Sequence, residues 1–90
     1  MTFEDVLGGG YVVAADSWLN MIVVWNGSAT FNVWSNVEGD AYRLAETFTR
    51  KVDGDGSAGG SNAFHAKTIA RRWLANVYDE MDGYFNQEAA

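Results

Sequence analysis

The stretch Met21-Ile-Val-Val-Trp-Asn-Gly-Ser-Ala-Thr-Phe-Asn-Val-Trp-Ser-Asn-Val37 constrains the fold more than any other part of the chain. Two β-rich runs, Asn20 to Trp25 and Thr30 to Val37, flank Asn26-Gly27, the strongest short-range hairpin signal. A two-residue loop would set Ile22 opposite Phe31 and Val24 opposite Ala29. A four-residue loop would set Val24 opposite Phe31 and Ile22 opposite Val33. Both registers place Ile22, Val24, Phe31 and Val33 on one face, the natural core. Both place Met21, Val23, Trp25 and Trp34 on the other, beside Thr30, Asn32 and Asn36. Only a three-residue loop scrambles this partition, because side chains alternate with a period of two.

The remaining elements follow from shorter signals. Thr2 to Gly8 reads as one helical turn, with Thr2 and Asp5 at capping-box spacing and Gly8 as its end. Gly8-Gly9-Gly10 is a joint, and Tyr11 to Asp16 is a first strand. Ser17 to Leu19 fits a turn or a strand extension equally. Glu38-Gly39-Asp40 is a turn. Ala41 to Val52 carries both helical and alternating signals; Thr47, Phe48, Thr49 and Val52 favour a fourth strand. Residues 53 to 62 form a flexible Gly- and Asp-rich loop by composition. Ala66, Ile69, Ala70, Trp73, Leu74, Val77, Tyr78 and Met81 then mark one helical stripe. The spacing predicts a helix from about Ala63 to Asp82, capped by Ser61 or Asn62 and ended by Gly83, with Tyr84 and Phe85 folding back. The fold class is α+β, one domain over residues 1–90. A small antiparallel sheet of three or four strands packs on one long C-terminal helix.

Composition narrows function by exclusion. The 90 residues contain no Cys, so thiol chemistry, thiolate metal sites and disulfides are excluded. That composition fits a reducing cytosol. The acidic N-terminus has no basic n-region, so a secretory signal is not expected. Asn26-Gly27-Ser28 therefore reads as a turn and not as a glycosylation sequon. The longest apolar run, Met21 to Trp25, is far short of the roughly 20 residues that span a membrane. A cytoplasmic protein without a membrane partner is the expectation.

No catalytic, metal or cofactor signature survives testing. Asp53-Gly54-Asp55-Gly56-Ser57 starts like a calcium loop, but Ala58 and Phe64 stand where an EF-hand needs its Gly and its bidentate Glu. His65, the only histidine, has no carboxylate one helical turn away to orient it as a base. Gly8-Gly9-Gly10 follows a helix and precedes a strand, the reverse of a phosphate loop. The chain is therefore expected to be a non-enzyme that uses no cofactor.

Charge points to the class of partner. The net charge is −6, and the first base in the chain is Arg43. Glu4, Asp5, Asp16, Glu38 and Asp40 precede it unopposed. Nucleic-acid affinity comes mostly from Lys and Arg on phosphates, so this half is unsuited to that work and favours a basic-surfaced protein. The expected contact residues are Met21, Val23, Trp25, Thr30, Asn32 and Trp34, with Glu38 and Asp40 as an acidic rim. The same face can instead form a homodimer. It can also be covered by Phe3 and Leu7 of the N-terminal turn, or by Tyr84 and Phe85. Lys67, Arg71 and Arg72 form a basic patch on the long helix. Its plain reading is a solvated face, and its alternative is a nucleic-acid contact.

In general character the segments YVVAAD, MIVVWNGSATFNVW and AKTIARRWLANVYDEM resemble the small acidic accessory proteins that bacteriophages encode against their hosts, anti-CRISPR inhibitors among them. The resemblance lies in a sheet-plus-helix architecture without catalytic motifs, and no functional residue is carried over from it. It implies a compact domain that binds an effector and blocks it. Charged residues at 20% set the chain apart from a full DNA mimic.

Overall fold

The computed structural model describes residues 1–53 and 61–89, with side chains over 1–53 and 62–80. Residues 54–60 of the expected flexible loop lie outside the described residues. The elements are α1 (Phe3–Leu7), β1 (Tyr11–Asp16), β2 (Met21–Trp25), β3 (Thr30–Glu38), β4 (Ala41–Thr49) and α2 (Ser61–Ala89). The four strands form one antiparallel meander in the order β1-β2-β3-β4. The α+β architecture is as the sequence predicts, and the ambiguous 41–52 segment is a strand. Gly83 does not end α2, which continues to Ala89; one glycine costs an established helix only about 1 kcal/mol.

The hairpin register corrects the expected partition. Trp25 pairs with Phe31, Val23 with Val33 and Met21 with Ser35. Asn26 donates its N–H to the Thr30 carbonyl at 3.0 Å, which leaves Gly27, Ser28 and Ala29 as a three-residue loop. The Asn26 side-chain oxygen accepts from the N–H groups of Ser28 (2.8 Å) and Thr30 (3.2 Å), an Asx arrangement. Gly27 supplies the positive φ of 90°. The Trp25 indole N–H donates to the Ser28 carbonyl at 2.8 Å, so the ring is buried with its polar atom satisfied. Asn-Gly thus makes the hairpin, but with an odd loop in place of an even one.

This loop puts Met21, Val23 and Trp25 on the same face as Phe31 and Val33, beneath α2. Val23, Phe31 and Val33 are fully buried, and Trp25 is 5% exposed. They join Val13, Phe48, Ala66, Ala70 and Leu74 in one core. The bulge at Val13 lets both Val13 and Ala14 turn toward that core. On α2, Ala66, Ala70 and Leu74 recur every four residues, and the two alanines are fully buried. Small side chains there let the helix lie close to the sheet. Phe31, Phe48 and Trp73 stack in sequence, with centroids 4.9 and 5.4 Å apart.

The opposite face carries Ile22 and Val24 together with Asn32 and Trp34. It is crossed by α1. The capping box of Thr2 and Asp5 forms as expected, and Gly8 closes the turn. Gly10 then brings the chain against β2. Its φ is 151°, and a Cβ there would lie 2.1 Å from the Trp25 carbonyl oxygen, a position no other residue can occupy. From that corner the segment runs back to β4, where Met1 and Tyr42 exchange backbone hydrogen bonds at 2.7 and 3.2 Å. Phe3 packs on Tyr42 with centroids 5.8 Å apart. Val6 and Val24 are each 1% exposed but belong to no part of the α2-side core. Among the described residues the N-terminal helix covers this face, chiefly through Val6, while Phe3 and Leu7, the cover that the sequence offers, stay 37% and 38% exposed. The side chains of Tyr84 and Phe85 lie outside the described residues.

Trp25→Ala is therefore expected to destabilise the fold by about 3–5 kcal/mol in urea titration, and half-buried Trp34→Ala by clearly less. Equal losses at the two sites would contradict the register.

Candidate functional site

The predicted contact residues do not form one surface. Met21, Val23 and Trp25 face α2 and are withdrawn from any docking face, because the odd loop inverts β2 relative to the expectation. Thr30, Asn32 and Trp34 stay on the far face, where they are half-buried. There the Thr47 hydroxyl donates to the Asn32 side-chain oxygen at 2.8 Å, a cross-strand tie. Glu38 and Asp40 are exposed at the β3–β4 turn. Asp40 is held in place, since its carboxylate accepts the Phe3 N–H at 3.1 Å.

Several apolar side chains that the sequence reading left out are exposed around this region. Trp18 is 79% exposed, Val37 62% and Leu44 47%. Trp18 projects from the β1–β2 turn. Asp16 accepts the Leu19 N–H at 2.9 Å, Asn20 takes a left-handed φ of 55°, and the Asn20 carbonyl accepts the Asn36 N–H. A tightly bonded turn thus presents a large apolar ring to water at the same end of the sheet as Glu38 and Asp40. Asp at the first position and Asn at the last were the turn signals in the sequence. Leu44 faces the far side through its pairing with Trp34, after a bulge that leaves Ala45 unopposed. A shallow recess of about 330 Å³ beside the β3–β4 turn is lined by Met1, Asp5, Glu38 and Asp40.

The expected basic patch is divided. Successive helical residues point about 100° apart, and α2 lies flat on the sheet, so Arg71 and Arg72 fall on opposite flanks. Lys67 lines a recess of about 470 Å³ with Tyr11, Val12 and Trp25. Arg71 lines one of about 340 Å³ with Asp16 and Tyr78. Arg72 lines a third, about 290 Å³, with Arg50 and Lys51 on the β4 side. His65 has a fixed role that its neighbours in sequence did not suggest: its Nδ1 accepts the Asp53 N–H at 2.8 Å.

Among the described residues no group of three or more His, Cys, Asp or Glu side chains is placed to hold a metal ion. No described helix is long and apolar enough to cross a membrane. Compared with protein-family models, curated proteins and solved structures, the chain matches none.

One polar pair spans the two layers. The Tyr78 hydroxyl donates to Asp16 at 2.7 Å. That bond, and then the Leu19 N–H, hold the Asp16 carboxyl below its usual value. Tyr78 is pushed up to about 12 by the bond to Asp16, by burial and by the Asp16 charge. The carboxylate form is favoured in the fold, so its contribution is complete above the ordinary 3.8 and lost as pH falls through the lowered value. The neutral phenol is favoured too, so its contribution is complete below pH 10.0 and lost as pH rises toward about 12. Tyr78→Phe should reduce both the acid and the alkaline loss of thermal stability. A stability profile with unchanged shoulders would show that the pair does not join the layers.

Proposed function

We propose that this domain is a non-catalytic protein-binding module, an inhibitor or adaptor of the anti-defence kind that its general character resembles. One observation carries the reading. Among the described residues, all the exposed large apolar side chains but Leu44 and Phe64 fall between Met1 and Val37, ahead of the first base in the chain. Leu44 beside its partner Trp34 on the far face, with exposed Trp18 and Val37 toward the same end of the sheet, supplies apolar contact area. Glu38 and Asp40 at the exposed β3–β4 turn supply an acidic rim. Tryptophans at interface centres dominate binding energy, and complementary potential selects and steers the partner. The partner that fits is a protein with an apolar patch inside a basic rim. A nucleic-acid-binding effector has such a rim, and occupying it would exclude the nucleic acid.

A second reading, self-association, is favoured by β1. This strand is an edge of the sheet, and from Tyr11 to Ala15 it carries none of the charges that guard such edges. Light scattering across a dilution series separates the two, since only β1 pairing gives a dimer that Trp18 and Leu44 do not control.

The test of the main reading is affinity capture with Trp18→Ala, Leu44→Ala and Trp34→Ala beside the native chain. A captured protein should lose more than about 1 kcal/mol of binding with Trp18→Ala and Leu44→Ala, and should release as salt rises. Trp18 and Leu44 are exposed enough that neither change threatens the fold. Binding indifferent to all three substitutions would refute the proposal.

A further inference from the structure

We propose that the cleft between the end of β4 and α2 is an anion site for a phosphorylated ligand with a planar or apolar body, of which a nucleotide is the plainest case. Three of the six Lys and Arg residues of the chain, Arg50, Lys51 and Arg72, line this single cleft of about 290 Å³, and among the described residues no carboxylate lines it. In a chain of net charge −6 that is a marked local reversal. At physiological salt, exposed charges beyond about 8 Å are largely screened, so these three cations, with Asp53 beside Lys51 as their near counter-charge, dominate the potential in the cleft.

The donors are arranged and not merely close in sequence. Arg50 donates to the Thr49 carbonyl at 2.7 Å and lies 5.4 Å over the Phe48 ring, which orients its guanidinium at the mouth. Such a fork suits phosphate oxygens. His65 lines the same cleft. Because its Nδ1 accepts from Asp53, the proton of the neutral ring sits on Nε2, which makes that atom a fourth donor. Among the described residues Lys51 has one acid in ion-pair range, Asp53, at 3.9 Å, with both side chains largely in water. An exposed pair of that length holds little energy, so a phosphate can displace it. The floor is apolar: half-buried Trp73 stacks on Phe48 and offers aromatic surface for a planar group. The site lies on the α2 side of the sheet, away from Trp34 and Leu44, and so stands or falls apart from the protein-binding reading.

Calorimetry on the full chain tests it with three probes: inorganic pyrophosphate, adenosine diphosphate and a short single-stranded oligothymidylate. Pyrophosphate should bind, and Lys51→Ala with Arg72→Ala should weaken it about tenfold or more, the loss expected for charge-assisted hydrogen bonds. Arg71→Glu, the same two-unit charge change on the opposite flank of the same helix, should leave binding within about twofold. Tighter binding of the diphosphate nucleotide identifies a free nucleotide as the ligand, and tighter binding of the oligothymidylate identifies a strand; either supports the site. Failure of all three probes, or equal weakening by Arg71→Glu, would overturn it.

Discussion

The burial of Trp25 beneath α2 decides which half of the molecule is core and which is surface. An aromatic side chain buries about 150–250 Å², worth on the order of 4–6 kcal/mol as an upper bound. Strand propensities, by comparison, span about 1 kcal/mol. The hairpin therefore takes the loop length that turns Trp25 inward. Asn26 and Gly27 adapt to it, one as an Asx cap and the other as the residue with positive φ. With Trp25 go Val23 and Met21, and the alternation of the sheet does the rest. Phe31 and Val33 stay inside under this register, so β3 is where sequence and structure agree.

Once β2 is inverted, Ile22 and Val24 need cover on the other face, and the N-terminal segment provides it. Gly10 makes the passage, the Met1–Tyr42 exchange anchors the far end, and Val6 fills the middle. Five helical residues cannot cover a four-stranded sheet. Leu44, Val37 and Trp18 are left exposed at the margins. The binding surface proposed here is thus a consequence of incomplete cover. The cationic cleft has a parallel origin. A helix lying flat on a sheet sends Arg71 and Arg72 to opposite sides, and Arg72 then meets Arg50 and Lys51 as β4 ends.

Much of the fold was legible because it rests on local periodicity. The α2 stripe, the Thr2–Asp5 capping box, the Asn-Gly hairpin and the α+β layering all follow from spacing within a few residues. The side-chain partition was not legible, because it hinged on whether one loop held an odd or an even number of residues, and Asn-Gly serves both. Trp18 illustrates a second limit. Its exposure depends on a turn closed by Asp16, Asn20 and a bond to Asn36, and the last of these is a contact between strands. Arg50 and Lys51 lie 22 and 21 residues from Arg72 in sequence and share a cleft with it only through tertiary packing. By contrast, Glu38 and Asp40 were found at the exposed turn where the sequence put them, since a short turn of polar residues has nowhere else to go.

The register can be read directly from proton–proton contacts across the hairpin. The bond from Asn26 to Thr30 and that from Asn36 to Asn20 mark hydrogen-bonded pairs at the two ends. Trp25–Phe31, Val23–Val33 and Met21–Ser35 are then the non-hydrogen-bonded pairs, whose α-carbons approach to about 4.5 Å. A nuclear Overhauser spectrum of the labelled protein should show strong Hα–Hα cross-peaks for Trp25–Phe31 and Val23–Val33. Cross-peaks placing Phe31 opposite Val24 or Ile22 would mean an even loop, a solvent-facing Trp25, and an interchange of core and surface on β2 that this account could not survive.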